Sequence, residues 1–463
     1  MNRRTRSRWF ATVAATSLVL AACGGSDDGD GASEPATTEA PDTDTTDAAM
    51  TEATTAATDM TEMTEATTAG TEMTEMTEAT TAATDASSDE PASTDPIKIG
   101  MLTSLTGNFA PWGIQVQDGM RLAVQEINDA GGVDGRMIEL VEVDDQTNAE
   151  EGVAGFERLV EEGVIGVGGI ISSDIGLATS PLSDELTTPL FMVKSGAAGV
   201  LTKDSRFAFR TCLPAAPMVS GPIVQYAVDN GITKVGAIIA DYGWGQSIKA
   251  ALEADFGAVD GIELQVEVAP VPETDFTTYL RNLESFGPEL IVATGHPPGS
   301  GPITVQSADL GLDVPVTGAY SQWSLVAGAS GDAGIGRYAD FDCADFASQG
   351  YQDLAKRFLA LSDQGFMDDD AVAGFGIVTM LAQAAGEVGD DPTAVAEYLH
   401  ANTFDLEGYS FQMGWTEWGE LATAQPLFSI LGAGPAPDGV NENGTWYPET
   451  LLLPEPLEPY VPE

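Results

Sequence analysis

Three polar residues follow an apolar, strand-like segment and could bind an anion. Ser172, Ser173 and Asp174 follow "VIGVGGI" after one further residue, Ile171, and open a segment with helical character. The first N–H groups of a helix carry partial positive charge, and small hydroxyls beside them can donate further hydrogen bonds. The pattern therefore predicts a site for a ligand carboxylate. The same residues can also serve as the N-terminal cap of the helix, and the two roles are compatible.

Residues with the usual chemistry of catalysis are few. The chain has two histidines, His296 and His400, and neither belongs to an HExxH motif or to a Cys/His metal-binding spacing. The glycine-rich "GVGGI" lacks the GxGxxG pattern and distant acidic residue of dinucleotide-binding sites. We therefore expect a binding protein rather than an enzyme, with no cofactor and no metal site.

The N-terminus has the pattern of an export signal. Four arginines precede a short, mostly apolar segment from Trp9 to Ala22, which is too short for a stable membrane span. The sequence "LAAC", ending at Cys23, resembles the lipobox of bacterial lipoproteins. This resemblance implies that residues 1–22 are removed and that Cys23 carries the lipid anchor. The alternative is an ordinary signal peptide with an incidental cysteine.

Residues 23–95 read as a low-complexity linker in which Thr, Glu, Ala and Met recur. After Cys23 this stretch contains 19 acidic residues and no lysine, arginine or aromatic residue. Such a composition cannot bury enough apolar surface to offset the entropy of ordering the chain. Because like charges extend a chain, we expect a long spacer between the membrane and a folded domain.

Acidity extends over the whole chain. The formal net charge is −54 at pH 7, and about −39 of it belongs to residues 96–463. Such a surface repels phosphate backbones, which argues against nucleic-acid binding. No loop has the alternating carboxylates of a calcium site. The acidity therefore indicates a soluble surface and says little about the ligand.

Strand-like and helix-like segments alternate from Ile97 onward. The segments "IKIGMLTSL", "MIELVEVDDQ" and "PLFMVKS" are strand-like, whereas "AEEGVAGFERLVEEG" has helical periodicity. The alternation repeats from "MVSGPIVQYAVDNG" onward. This pattern predicts an α/β fold with two lobes, each built on a parallel sheet with helices on both faces. In such sheets ligands bind beyond the carboxyl ends of the strands.

Several stretches resemble one family in their order along the chain. They are "SLTGNFAPWGIQVQDGMRLAVQEINDAGGVDGRMIELVEVDDQTN", "FRTCLPAAP", "DYGWGQ" and "GLDVPVTGAY". Together they are similar to type I periplasmic binding proteins of the branched-chain amino-acid group, which serve ABC importers. The resemblance covers residues 96 to about 434. It implies two Rossmann-like lobes with parallel central sheets, joined by a three-crossing hinge and closing over a solute.

The resemblance also divides residues 96–463, the expected ligand-binding domain. It implies the following parts: lobe one at about 96–211 and 344–403, lobe two at about 212–343 and 404–450, and a tail at 451–463. With Cys23 lipidated, two cysteines remain, and an even number in an exported protein suggests a disulfide. Cys212 and Cys343 fall near the first two crossings, so the resemblance implies a bridge across the hinge. Two buried thiols are the alternative.

The resemblance places further residues in the cleft. Besides the Ser172–Asp174 turn, it implies these ligand contacts: Trp112, Ser195, Gly196, Ala197, Tyr242, His296 and Tyr320. Two of them depart from the family pattern, because Ala197 replaces a usual Thr and Tyr320 replaces the Glu that pairs with an α-ammonium. A buried ammonium without a carboxylate is costly, so an α-amino acid is disfavoured.

An aromatic-rich cleft of this kind suits an apolar or aromatic acid, an amide or a modified amino acid. Lys194 stands where the family usually has Pro, and it can either reach the cleft or lie on the surface.

These observations predict an extracytoplasmic solute-binding lipoprotein of an ABC importer. We expect a monomer, anchored to the outer face of the cytoplasmic membrane, that captures a small solute by hinge closure and delivers it to permease subunits. A receptor module that senses the solute and signals to a membrane partner is the alternative. A structural surface protein would lack a closed form stabilised by a ligand.

Overall fold

The computed structural model describes residues 94–294, 299–441 and 444–462. The predicted signal peptide, Cys23, the linker up to residue 93 and His296 lie outside the described residues.

Lobe one is built on a five-stranded parallel sheet. Its strands are β1 (Ile97–Thr103), β2 (Ile138–Asp144), β3 (Val167–Ile170), β4 (Leu190–Met192) and β5 (Ala208–Arg210). They lie in the order β2-β1-β3-β4-β5, and every pairing is parallel. The connecting helices are α1 (Ala110–Asp129), α2 (Ala149–Glu161) and α3 (Ser173–Glu185). Every residue of β3, β4 and β5 is buried, as expected for strands covered on both faces.

Lobe two is built on a seven-stranded mixed sheet. Its strands are β6 (Lys234–Ala240), β7 (Glu263–Ala269), β8 (Leu290–Thr294), β9 (Val316–Thr317), β10 (Tyr338–Asp342), β11 (Leu427–Gly432) and β12 (Tyr447–Leu452). Its helices are α4 (Ala216–Asp229), α5 (Gly243–Gly257), α6 (Thr277–Phe286), α7 (Ser300–Asp309) and α8 (Trp323–Ser330). Strands β6 to β10 pair in parallel, whereas β11 and β12 are antiparallel. The predicted two-lobed α/β fold is confirmed, with an antiparallel edge in addition.

After β10 the chain returns to lobe one and forms three helices. They are α9 (Gln349–Leu361), α10 (Asp369–Val388) and α11 (Pro392–Ala401). Helix α10 packs closely on α1. The approach is so close that a side chain at Gly119 or Gly374 would collide with the backbone of the facing helix. By length and hydropathy α10 could cross a membrane, but its apolar stretch is 67% buried within the protein. It is therefore the core helix of lobe one.

The third passage between the lobes differs from the sequence-based boundary. Residues 404–424 remain on lobe one, since the Gly419 carbonyl accepts a hydrogen bond from the Arg210 backbone N–H and the Trp415 indole donates to the Arg210 carbonyl. The chain then enters β11 at Leu427. In the structure the passage lies near residue 425, about twenty residues after the expected boundary at about 403/404.

Cys212 and Cys343 form a disulfide at the hinge. Their Cα atoms are 5.3 Å apart, and both residues are fully buried. Cys212 follows β5 of lobe one and Cys343 follows β10 of lobe two, so the bridge joins the first two passages between the lobes. It ties together positions 131 residues apart in the chain at the point about which the lobes would rotate.

Candidate ligand-binding cleft

A small cavity lies between the lobes, beyond the carboxyl ends of their strands. The lining residues are Trp112, Ile171, Lys194, Leu213, Tyr242, Trp244, Ala319, Tyr320 and Ser321. The cavity volume is about 10 Å³, which is room for about one water molecule. In this arrangement the cleft is therefore filled by the protein's own side chains.

Direct hydrogen bonds hold the two lobes together around the cavity. The Gly243 N–H donates to Asp174 Oδ1 at 2.9 Å, and the Ala198 N–H donates to Ser247 Oγ at 2.9 Å. On the other side, Gln322 Nε2 donates to the Pro111 carbonyl at 3.1 Å. Each bond joins one residue of lobe one to one of lobe two, so the structure represents a closed form.

The Ser172–Asp174 turn uses its polar groups within the protein. Ser172 Oγ caps helix α3 by accepting from the Asp174 N–H at 3.3 Å, and Ser173 Oγ accepts from the Ala197 N–H at 3.1 Å. Asp174 makes the contact to lobe two described above. The capping role is thus present, and the turn lies next to the cavity wall at Ile171 rather than among its lining residues.

The buried side chain of Arg210 holds the loop of Ser195, Gly196 and Ala197 in place. The guanidinium of Arg210 donates to the Ser195 carbonyl and, at 2.8 Å, to the Ala197 carbonyl. Its Nε also pairs with Glu420 at 3.0 Å, and both side chains are at most 1% exposed. The loop therefore has a fixed position behind the cavity, and its three residues do not belong to the lining set.

Aromatic side chains from both lobes meet at the cavity. The rings of Phe109 and Trp112 in lobe one stack with centroids 5.5 Å apart, and Tyr242 of lobe two lies 5.2 Å from Phe109. Trp244 is 2% exposed and its indole N–H donates to Thr294 Oγ1 at 3.1 Å. The predicted aromatic character of the cleft is present, with Phe109 and Trp244 in addition to the expected residues.

Tyr320 occupies a strained turn at the cavity wall. Its φ angle is 62°, a left-handed conformation that costs a bulky residue on the order of 1–3 kcal/mol. Asp340 compensates for this strain by accepting hydrogen bonds from the backbone N–H groups of Tyr320 and Ser321, at 2.7 and 2.9 Å. The turn thus holds the Tyr320 side chain between the lobes.

Lys194 is buried at the junction of the lobes. Of the two positions that the sequence left open, the cleft and the surface, the structure therefore places it at the cleft. Its ammonium donates to Asp369 Oδ2 at 2.8 Å and to the Tyr320 carbonyl at 3.1 Å, and lies 3.6 Å from Asp370 Oδ1. Burial lowers the pKa of Lys194, but the carboxylates of Asp369 and Asp370 raise it by more, so the pKa lies above its usual value. The lysine is therefore a permanent cation of the cavity wall.

Further carboxyls surround this pair at the hinge. Asp368 accepts from the Ser324 hydroxyl at 2.5 Å, and Asp342 accepts from the Trp323 indole at 2.7 Å. Burial raises the pKa of Asp342 well above its usual value and that of Asp368 to about 7. Burial therefore favours the protonated form of the Asp342 carboxyl.

The raised pKa of Asp368 predicts a stability that falls as pH rises. A folded-state pKa of about 7, against about 4 in the unfolded chain, means that the folded protein holds this proton more tightly. The free energy of unfolding should therefore decrease between about pH 4 and pH 7, by up to roughly 4 kcal/mol from this group. Urea unfolding of the wild type and of Asp368→Asn across this range measures the effect.

The variant should show a weaker dependence on pH than the wild type. Asp353→Asn, on the exposed face of α9, is the matched control and should retain the wild-type dependence. Equal slopes for Asp368→Asn and the wild type would contradict the assignment of the proton to this carboxyl.

The structure brings together some of the sequence-predicted contacts and separates others. Trp112, Tyr242 and Tyr320 line the cavity. The other described candidates lie beside it: Ser172, Ser173, Asp174, Ser195, Gly196 and Ala197. The acidic start of α10 was missed, because a run of acidic residues at a helix N-terminus is also the ordinary complement of the helix dipole.

A larger groove lies elsewhere, on the outer side of lobe two. It has a volume of about 570 Å³ and runs between α4 and the C-terminal residues 452–458. Its wall consists of lobe two and the C-terminal segment, and it carries no buried charged group. The small cavity at the hinge is the better candidate for solute capture, because closure of the lobes completes its wall.

Comparison with known proteins agrees with this geometry. The family model for periplasmic binding proteins matches residues 96–425. The leucine-, isoleucine-, valine-, threonine- and alanine-binding protein of Pseudomonas aeruginosa is 27% identical over 340 residues, which is 71% of this chain and 88% of the relative. Leu/Ile/Val-binding protein homolog 3 of Brucella melitensis biotype 1 is 25% identical over 343 residues, covering 72% and 90%.

Solved structures share the fold. The leucine binding protein LivK of Thermotoga maritima MSB8 superposes with a TM-score of 0.66 at 19% identity, covering 78% of this chain and 99% of that one. A solute binding protein of an R. palustris ABC transporter, in complex with benzoate, has a TM-score of 0.67 at 20% identity, covering 79% and 98%. Because the family match spans more than two thirds of the sequence and the fold agrees with it, the chain belongs to the periplasmic binding protein family.

Proposed function

We propose that this protein works outside the cytoplasm, where it captures one small solute between its lobes and delivers it to the permease of an ABC importer. The observation that carries the proposal is the cavity at the hinge, whose wall is built by both lobes. The names of its relatives support the class of ligand, since the Pseudomonas relative is named for five amino acids and the R. palustris structure holds benzoate.

Capture proceeds by rotation of the lobes about the hinge. The bonds from Gly243 to Asp174 and from Ala198 to Ser247 exist only when the lobes meet. A solute that touches both lobes adds contacts to this closed form alone, so it shifts the population toward closure. A permease that recognises the closed form then distinguishes loaded from empty protein.

The filled cleft adds a condition to this mechanism. A cavity of about 10 Å³ cannot accommodate an amino acid or an aromatic acid. The solute must therefore bind to separated lobes and displace cavity side chains such as Tyr242 as the lobes close. This displacement lowers the affinity relative to a preformed pocket.

A thermal-shift screen tests the proposal. A solute that binds only the folded protein stabilises it by about 2.7 kcal/mol at a hundredfold excess over its Kd. We expect at least one member of a panel of amino acids, their amides, and aliphatic and aromatic carboxylic acids to raise the melting temperature. If no member of the panel did so at millimolar concentration, solute capture would be refuted for these classes.

We further propose that lipidated Cys23 anchors the protein and that residues 24–95 act as its tether. The support is the sequence "LAAC" after an arginine-rich, apolar start, and the acidic low-complexity stretch that follows. Because each protein encloses its cleft within one chain, a monomer suffices for capture.

Replacing Cys23 with serine should release the protein from the membrane, because the residue that carries the lipid is lost. Membrane fractionation of cells expressing either form measures this. Ser26→Ala is the control and should leave the protein in the membrane fraction. Continued membrane association of Cys23→Ser would refute the anchor and leave solute capture untouched.

A further inference from the structure

The cleft already contains a positive charge, which belongs to the side chain of Lys194. The Lys194 side chain is 5% exposed and lines the cavity, with its ammonium 5.3 Å from the centre of the Tyr320 ring. It is hydrogen-bonded to Asp369 of lobe one and to the backbone of Tyr320 in lobe two. Residues of both lobes therefore fix the position of the Lys194 ammonium when the lobes are closed.

Behind this lysine, Asp369 supplies the compensating charge. The Asp369 side chain is 1% exposed and does not line the cavity, so Lys194 separates it from a solute. The described lining residues include no Asp or Glu. A solute ammonium in this cavity would find no carboxylate among them and would lie beside an ammonium of like charge.

The unsatisfied polar atoms of the cavity residues can each donate a hydrogen bond. Trp112 Nε1 and the Tyr320 hydroxyl are buried and have no hydrogen-bond partner within the described residues. An indole N–H can only donate, and burial raises the pKa of Tyr320 well above its usual value, so its hydroxyl stays protonated. Buried donors require an acceptor, and a carboxylate or carbonyl oxygen of the solute provides one.

We propose that Lys194 determines the specificity of the cleft: its ammonium takes the place of a solute ammonium, so the protein selects carboxylic acids that carry no amino group. The aromatic lining of Trp112, Tyr242 and Trp244 favours acids with an apolar or aromatic body. This inference rests on the proposed capture of a solute at the hinge and names the class of that solute.

Matched pairs of solutes test the inference. Isothermal titration of the full folded chain compares phenylalanine with 3-phenylpropanoate and leucine with 4-methylpentanoate, which differ only in the ammonium group. In the wild type we expect the acid of a pair to bind at least tenfold more tightly than the amino acid. In Lys194→Met the ratio should fall at least tenfold, because Asp369 is then free to pair with a solute ammonium.

Two further variants keep the test decisive. Lys234→Met is the matched control. The Lys234 ammonium also donates to a backbone carbonyl, that of Phe286, and lies over an aromatic ring, but it does so at the amino end of β6, away from the cavity. It should leave the ratio unchanged. If Lys194→Met did not fold, Tyr320→Phe removes only the donor hydroxyl and should weaken binding of the acids about fivefold or more.

The outcomes separate the inference from the proposed function. Equal or tighter binding of the amino acids by the wild type would overturn the inference and leave solute capture standing. An unchanged ratio in a folded Lys194→Met variant would also overturn the inference and leave solute capture standing. The same conclusion would follow if the protein bound a different class of solute and neither member of either pair. Failure of every solute in the wider thermal-shift panel would remove both.

Discussion

Replacing Arg210 with methionine should lower the free energy of unfolding by about 3–5 kcal/mol. The guanidinium and the Glu420 carboxylate are both at most 1% exposed, so the variant leaves a buried carboxylate without its partner. It also removes the donors that hold the carbonyls of Ser195 and Ala197. Urea unfolding followed by circular dichroism measures the change.

Two controls distinguish the buried pair from an ordinary ion pair. Arg121→Met breaks a pair with Glu142 whose side chains are 49% and 27% exposed, and it should cost less than about 1 kcal/mol. The double variant Arg210→Met with Glu420→Leu should recover part of the loss, because it removes the unpaired charge. A loss of less than 1 kcal/mol for Arg210→Met alone would contradict the described role of the pair.

A methyl group at Gly196 should weaken solute binding roughly 5- to 150-fold by obstructing closure. A Cβ at this position in lobe one would lie 2.6 Å from Cε3 of Trp244 in lobe two and 2.7 Å from Cδ2 of Leu213. Trp244 cannot easily retreat, because it is buried and bonded to Thr294. Overpacking of this kind costs about 1–3 kcal/mol, and here the cost falls on the closed form.

The experiment compares Gly196→Ala with a glycine of the same loop. At Gly199 the nearest atom to an added Cβ is Leu177 Cδ2 at 3.5 Å, an ordinary contact, so Gly199→Ala should bind like the wild type. Titration with a solute found in the screen gives the affinity, and small-angle X-ray scattering of the solute-free protein reports lobe separation. Wild-type affinity in Gly196→Ala would show that closure does not need this contact.

The hinge cluster links these results. Lys194, Asp369 and the disulfide lie together, since Asp369 Oδ2 is 3.3 Å from the Cys212 sulfur. The sulfurs are bonded to each other and carry no proton or thiolate, so this group is not a metal site. Cation, carboxylate and disulfide instead form one buried cluster at the junction of the two lobes.

The elements of the fold were accessible from the sequence where the signal is local. The alternation of buried strands and amphipathic helices predicted both lobes, because the periodicity of apolar residues depends on each segment alone. The Ser172 cap of α3 is local as well, since donor and acceptor lie two residues apart. The antiparallel β11 and β12 escaped prediction because strand direction depends on where the chain returns.

By itself the sequence predicted two α/β lobes and an exported, acidic protein, and its resemblance to a known family implied an aromatic cleft near Trp112, Tyr242 and Tyr320. The tertiary structure decided the charges at the hinge. Lys194 meets Asp369 across 175 residues, and Arg210 meets Glu420 across 210 residues. No local sequence pattern predicts such pairs, because a charged residue near a strand end is ordinarily solvated. Only the packing of the lobes removes these side chains from water.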